Sequence, residues 1–268
     1  MRSMNRAVGL TLSLFVAGAA AGAETTECTV VTSVPSTITA PGPYCLKASL
    51  TGIGGITISA DDVSVDLNGH TLESKAIGVT SWGRYRNSIV RNGTIRGGTF
   101  AVSLNNETSG HLVEEIRAEG SGIRVSGNGV VVRNNVVVGT TTASVGPNYG
   151  IIVGTGTGAR IRDNVVVNPA TGYVGEGGGI WAFGAIGAVI EGNVVRNTTL
   201  DLASPHRGIH AMWSDGAVVS GNHVANMRLG ITAGFGTVLF RDNTVHGAES
   251  PGLAYIGGVM AGSTNVVF

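Results

Sequence analysis

Along most of this chain apolar residues alternate with small or polar ones in short runs, and the runs end on Gly, Asn or Asp. The stretch 208–222, GIHAMWSDGAVVSGN, holds the whole pattern. It reads Gly208-Ile209-His210-Ala211, a turn with Asp215-Gly216, then Ala217-Val218-Val219 and Gly221-Asn222. Alternation of this period is what a half-buried strand produces, and no sustained helical period follows residue 24. The Gly-Ile start returns at Gly122-Ile123, Gly150-Ile151, Gly179-Ile180 and Gly230-Ile231, and as Gly252-Leu253, with looser copies from Ile56, Ile77 and Phe100. Starts at 56, 77, 100, 123, 151, 180, 209, 231 and 253 make about nine units of a repeat architecture. Three short strands per unit cannot bury an inner face alone. Stacked units can, each coil pairing with the next at about 4.8 Å.

A second mark, a pair drawn from Asn, Asp and Gly, recurs at Asn68-Gly69, Asn92-Gly93, Asn134-Asn135, Asp163-Asn164, Gly192-Asn193, Gly221-Asn222 and Asp242-Asn243. These residues enter the left-handed backbone region at low cost. The mark therefore predicts a sharp bend at one place in every coil, with Asn side chains stacked and hydrogen-bonded along the column. The fourth coil has Glu115-Ile116 instead, which predicts an irregular bend there.

The opening TVVTSVPSTITAPGPYCLKASLTG, followed by ITISADDVSVDLNGHTLES, is similar to the start of many secreted right-handed β-helix proteins. With the repeat, the chain resembles the right-handed parallel β-helix family, the pectate-lyase-like fold. The resemblance implies an all-β chain wound as a single-stranded parallel β-helix, a solenoid of about nine coils with three short strands each. That fold hosts lyases, hydrolases, epimerases, adhesins and copper-site assembly proteins, so it does not give the function.

Residues 1–23 read as a secretory leader: Arg2 and Arg6 flank an apolar run that ends on Ala21-Gly22-Ala23. Residues 24–268 then form one β-helix domain with an N-terminal cap at 24–55, exported to a periplasm or the outside. Taking Arg2 and Arg6 away with the leader leaves 15 of the 17 basic residues against 17 acidic ones, which argues against a nucleic-acid partner. No integral membrane segment is expected after leader removal. Cys28 and Cys45, the two cysteines, predict one disulfide closing a loop over the first coil. The C-terminal stretch Asn265-Val266-Val267-Phe268 has no amphipathic cover, and a homo-oligomer through that open coil is a hypothesis.

The spacing between starts is 28 to 29 residues in the middle coils, against 21 to 23 elsewhere, and the surplus falls at 140–149, 168–178 and 197–207. Inserts on one face of a repeat protein often mark its binding face. With the Ile of each start turned inward, the next residue turns out. The outward column then reads Thr57, Gly78, Ala101, Arg124, Ile152, Trp181, His210, Thr232 and Ala254, and the one beside it Ser126, Gly154, Phe183, Met212 and Gly234. Trp181, Phe183, His210 and Met212 are expected to form one exposed patch, with Trp213 at its edge. Such a patch marks a binding site, or folds under the inserts as a small satellite core. Tyr149 and Tyr173 reach in from the inserts, and Arg124 lies three coils from His210 along the same face.

The expected ligand is a polysaccharide, and Trp181, Phe183, Met212, Trp213, Tyr149, Tyr173 and Arg124 are the candidate binding residues. If the protein is an enzyme, it is a lyase or glycoside hydrolase acting on an acidic polymer. Candidate catalytic residues are His210 or Tyr149 as a base with Arg207 as a uronate-neutralising cation, and Glu176 and Asp201 as the two carboxylates a hydrolase needs. No cofactor and no metal are expected: the six His are scattered, and His206-Arg207-Gly208-Ile209-His210 is a metal pair only on a helix. A non-catalytic adhesive solenoid is the alternative, and a copper-site assembly protein the third reading. The turn Trp82-Gly83-Arg84-Tyr85-Arg86 is either a basic aromatic holder of an acidic sugar or a solvated turn.

Overall fold

The computed structural model describes residues 24–140, 148–169, 177–198, 206–248, 253–261 and 264–267. It is a parallel β-helix whose strands stack in three columns, referred to below as the first, second and third sheets. The first sheet runs from Ser36–Ile38 through Ile56–Ile58, Gly177–Phe183 and His206–Met212 to Leu253–Ala261. The second includes Gly42–Cys45, Val63–Asp66, Val131–Arg133 and Val189–Glu191, and the third Leu50–Gly52, Thr71–Ser74, Val165–Val167 and Thr244–His246. Every pairing is parallel, as a chain that returns once per coil requires, and the described residues include no helix long and apolar enough to cross a membrane. Residues 36–52 already form a coil beneath the first Ile start.

The core is a file of aliphatic side chains from all three sheets. Ile123, Ile151, Ile180, Ile209 and Ile231 stand in register in the first sheet, and Val132, Ile161, Ile190 and Val219 in the second, all fully buried. The Gly before each Ile is there for space. A Cβ on Gly179 would meet the Val195 side chain at 2.1 Å, and one on Gly208 would meet Val224 at 2.3 Å. The sequence motif thus records how closely the first and third sheets approach.

The bend between the second and third sheets carries the Asn column. Asn134, Asp163, Gly192, Gly221 and Asp242 take positive φ, and the Asn after each points inward. Asn135, Asn164, Asn193, Asn222, Asn243 and Asn265 stack in single file. Each side-chain amide donates to the next side-chain carbonyl at 2.9 Å and to a main-chain carbonyl of the preceding second-sheet strand, such as Val132 or Ile161. Each Oδ1 also accepts the backbone N–H of the preceding Asn. The amide groups are therefore satisfied without water.

One expectation at this bend is corrected. Glu115 adopts φ 55°, the same left-handed bend as its neighbours, so the bend in the coil that starts at Phe100 is regular. What changes is the ladder: Ile116 occupies the Asn position and only its backbone N–H reaches Asn135 Oδ1. The Cys28–Cys45 disulfide is present, with Cα atoms 5.8 Å apart. The proposed leader, residues 1–23, lies outside the described residues.

Candidate functional site

The register of the first sheet fixes which outward residues are neighbours. Thr57 pairs with Thr80, Thr80 with Ser103, and Ser103 with Arg124; the column continues through Ile152, Trp181, His210 and Thr232 to Ala254. Thr80 and Ser103 thus replace Gly78 and Ala101 in the expected column. Phe100 pairs with Gly122 while Val102 pairs with Ile123, so Ala101 is an extra bulged residue and packs in the core. Arg124 does lie three rungs from His210, too far to share one proton transfer.

In the middle coils five aromatic rings form a continuous line. Tyr149 stacks on Trp181 at 5.2 Å; Trp181 meets the edge of Phe183 at 4.9 Å; Phe183 meets the edge of Trp213 at 5.0 Å; Trp213 stacks on Phe235 at 5.4 Å. The line climbs from coil to coil and drifts toward the strand ends. Tyr149 is buried at its root, Trp181 and Phe183 are half-buried, and Trp213 and Phe235 are each 47% exposed. Met212 sits half-buried between Phe183 and Gly234 in the neighbouring file.

The exposed end of the line is held in a costly conformation. Trp213 has φ 50° and Phe235 φ 54°, in the left-handed region where Gly184 serves one coil earlier. For a bulky L-residue that region costs about 1–2 kcal/mol. An aromatic pair returns about 0.5–1.5 kcal/mol, so stacking offsets roughly one of the two penalties. Hydrogen bonds fix the turn: the Ser214 hydroxyl accepts from Ala185 N–H, and Asp215 Oδ1 accepts from Thr237 N–H at 2.7 Å. That bond from Thr237 also holds the Asp215 carboxyl below its usual pKa.

His210 is not part of the exposed patch. It is 6% exposed, directly above Trp181, with Nδ1 2.7 Å from the Thr232 hydroxyl. Burial, and then the nearby Arg207 charge, lower its pKa from 6.5 to about 4. The ring is neutral at neutral pH. Arg207 is half-buried in the strand and pairs with Gly178 and Leu229. Arg124 is half-buried, with its guanidinium 5.9 Å from the centre of the Phe100 ring. The Trp181 indole Nε1 is buried and has no hydrogen-bond partner among the described residues.

Glu176, Asp201 and Tyr173 lie outside the described residues, as does most of each insert. The strands that leave the inserts start in register, Asn148 beside Gly177 and Gly177 beside His206. Phe235 is the member of the line that sequence reasoning missed. Its signal was available: Phe235 follows Ile231 at the same distance at which Trp213 follows Ile209.

Among curated proteins, none matches this chain in sequence. Among solved structures, the chain is similar to the GH136 lacto-N-biosidase from Eubacterium ramulus, with a TM-score of 0.55 at 11% identity over 88% of this chain and 59% of the other. The chain thus spans about three-fifths of that protein's length. It is also matched to the Dettilon tailspike protein, with a TM-score of 0.39 at 12% identity over 85% of this chain and 60% of the other, a likeness too loose to argue from. At such identities the likeness bears on fold alone. The family model described as "Right handed beta helix region" matches residues 121–268, more than half of the chain, and the chain belongs to that family.

Proposed function

We propose that this protein binds a polysaccharide laid along the outward side of the first sheet, over the ring line from Tyr149 to Phe235. The carrying observation is the pair Trp213 and Phe235: two large rings, half exposed, kept at positive φ. Strain of this kind concentrates at ligand sites. Flat apolar ring faces suit the apolar faces of sugar rings, and an exposed aromatic patch favours a binding surface. A sugar ligand rests on this line of rings rather than on any fold neighbour's name. The Cys28–Cys45 disulfide supports export to an oxidising compartment, with 1–23 as leader and 24–55 as cap.

The finer form of the reading is a lyase or hydrolase acting on an acidic polymer, with Arg207 neutralising a carboxylate and Glu176, Asp201 and His210 as acid–base groups. A non-catalytic binding surface is the second reading. His210 favours it: buried, tied to Thr232 and with a pKa of about 4, the ring is a poor proton acceptor at neutral pH.

Calorimetric titration with polygalacturonate, alginate, hyaluronan, xylan and a β-galactan tests the proposal, with unsaturated-product absorbance and reducing-end release followed in parallel. Binding of at least one polymer, weakened about tenfold by Trp213→Ala or Phe235→Ala, is the expected result. No heat and no change in tryptophan fluorescence across the panel would sink it. Product release selects the enzymatic form; binding without product selects the second reading.

A further inference from the structure

The same face carries a feature several coils below the ring line. Trp82 follows Ser81 at the end of Ile77–Ser81 and is 63% exposed. Ser81 pairs with Leu104, and that file continues through Val125, Val153, Ala182 and Ala211, all buried in the core. Strand alternation turns the next residue of each coil outward. Trp82 therefore stands in the file of Ser126, Gly154, Phe183 and Met212. Four rungs separate it from Phe183, about 19 Å at the usual spacing.

The described residues on the span between the two aromatic ends are Ser126, 5% exposed, and Gly154, and a Cβ on Gly154 would meet the Ser126 hydroxyl at 2.2 Å. Arg124 stands beside that span, two rungs from Trp82 and two from Phe183. Desolvation lowers its pKa, and among the described residues no carboxylate forms an ion pair with it. A half-buried guanidinium without a carboxylate is a group that an anionic ligand satisfies. Beyond Trp82 the turn adds the exposed side chains of Arg84 and Arg86.

We propose that Trp82 is a distal subsite of the same face and that the ligand is a uronate-type acidic glycan lying parallel to the solenoid axis. One end stacks on Trp82, a carboxylate midway is held by Arg124, and the other end lies over Phe183, where the ring line begins on that file. This rests on the polysaccharide reading and adds to it a length, a direction and a charge. A chain that reaches both aromatic ends gains from two-point attachment, and a chain too short to do so does not.

The test is titration of the wild type, Trp82→Ala, Trp82→Phe and Arg124→Gln with sized fragments of polygalacturonate, alginate and hyaluronan. One fragment is shorter than the four-rung span and the other about twice as long. For the polymer that binds, the ratio of long-fragment to short-fragment affinity is expected to fall about tenfold in Trp82→Ala and to be kept in Trp82→Phe. Arg124→Gln is expected to weaken the long fragment about tenfold and to lessen the salt dependence. Because the Trp82 ring is exposed, its variants keep the wild-type unfolding midpoint. Equal ratios in the wild type and Trp82→Ala overturn the distal subsite and leave polysaccharide binding standing. Binding of xylan or galactan alone overturns the acidic ligand. Silence across the polymer panel removes the reading on which both rest.

Discussion

The coils that start at Ile209 and Ile231 each turn two corners with the same backbone demand and meet it in opposite ways. Between the second and third sheets the left-handed residues are Asn134, Asp163, Gly192, Gly221 and Asp242, the types that adopt it most cheaply. The Asn that follows each is buried and fully hydrogen-bonded. At the end of the first sheet the left-handed residues are Gly184, then Trp213 and Phe235, two of the least suited types. Their rings gain stacking but stay half exposed. The first corner is built for stability. The second gives some stability up, and the surface it creates is what that loss supports.

The comparison breaks most sharply at Asn193. Asn193→Ala removes the acceptor for both the backbone N–H and the side-chain amide of Asn164, and frees the Ile161 carbonyl. At about 1–3 kcal/mol for each buried orphan, a loss of about 3–5 kcal/mol is expected in denaturant unfolding. A loss below 1 kcal/mol would mean that the ladder is ornamental.

Acid should separate the two corners next. The folded-state pKa of His210 lies at about 4, below the 6.5 expected unfolded, and that of His111, also depressed by burial, lies at about 4. The unfolded chain therefore binds more protons below pH 6.5. Stability is fully present above that value and is lost as pH falls toward 4, by on the order of 2 kcal/mol for each group. His210 supports Trp181, whereas the Asn column contains no titrating group. Tryptophan emission is expected to shift before the far-ultraviolet signal does, and His210→Gln should flatten the early change. Simultaneous loss of both signals would contradict a separate response of the aromatic face.

The smallest stability change is expected at Trp213. Trp213→Gly relieves about 1–2 kcal/mol of backbone strain and loses a similar amount of ring contact, so the unfolding free energy should move by no more than about 1 kcal/mol. Polysaccharide binding should nevertheless fall at least about tenfold. A large destabilisation with binding intact would make the ring line a structural brace.

Much of the winding was legible because one coil uses one copy of a short motif. The Gly-Ile starts mark where the first and third sheets touch, and the Asn pairs mark the bend. The outward column was misread at Gly78 and Ala101, because a one-residue bulge near Ala101 leaves no trace in the alternation. The outward side of His210 was read correctly, but not its burial, since depth on that face depends on what neighbours and loops cover it. Phe235 was missed because it sits between glycines in a coil without the paired aromatic of its neighbours, and its ring matters only through the stack with Trp213.

By itself the sequence determined the coil: its period, its inward aliphatic file, its Asn bend and its disulfide. These follow from local rules that repeat, so each copy reinforces the others. The tertiary structure alone decided which rings meet across coils: Phe183 against Trp213 and Trp213 on Phe235. Those contacts join residues some twenty to thirty positions apart, and they depend on the sum of every intervening coil length and bulge, a quantity that no single stretch of sequence carries.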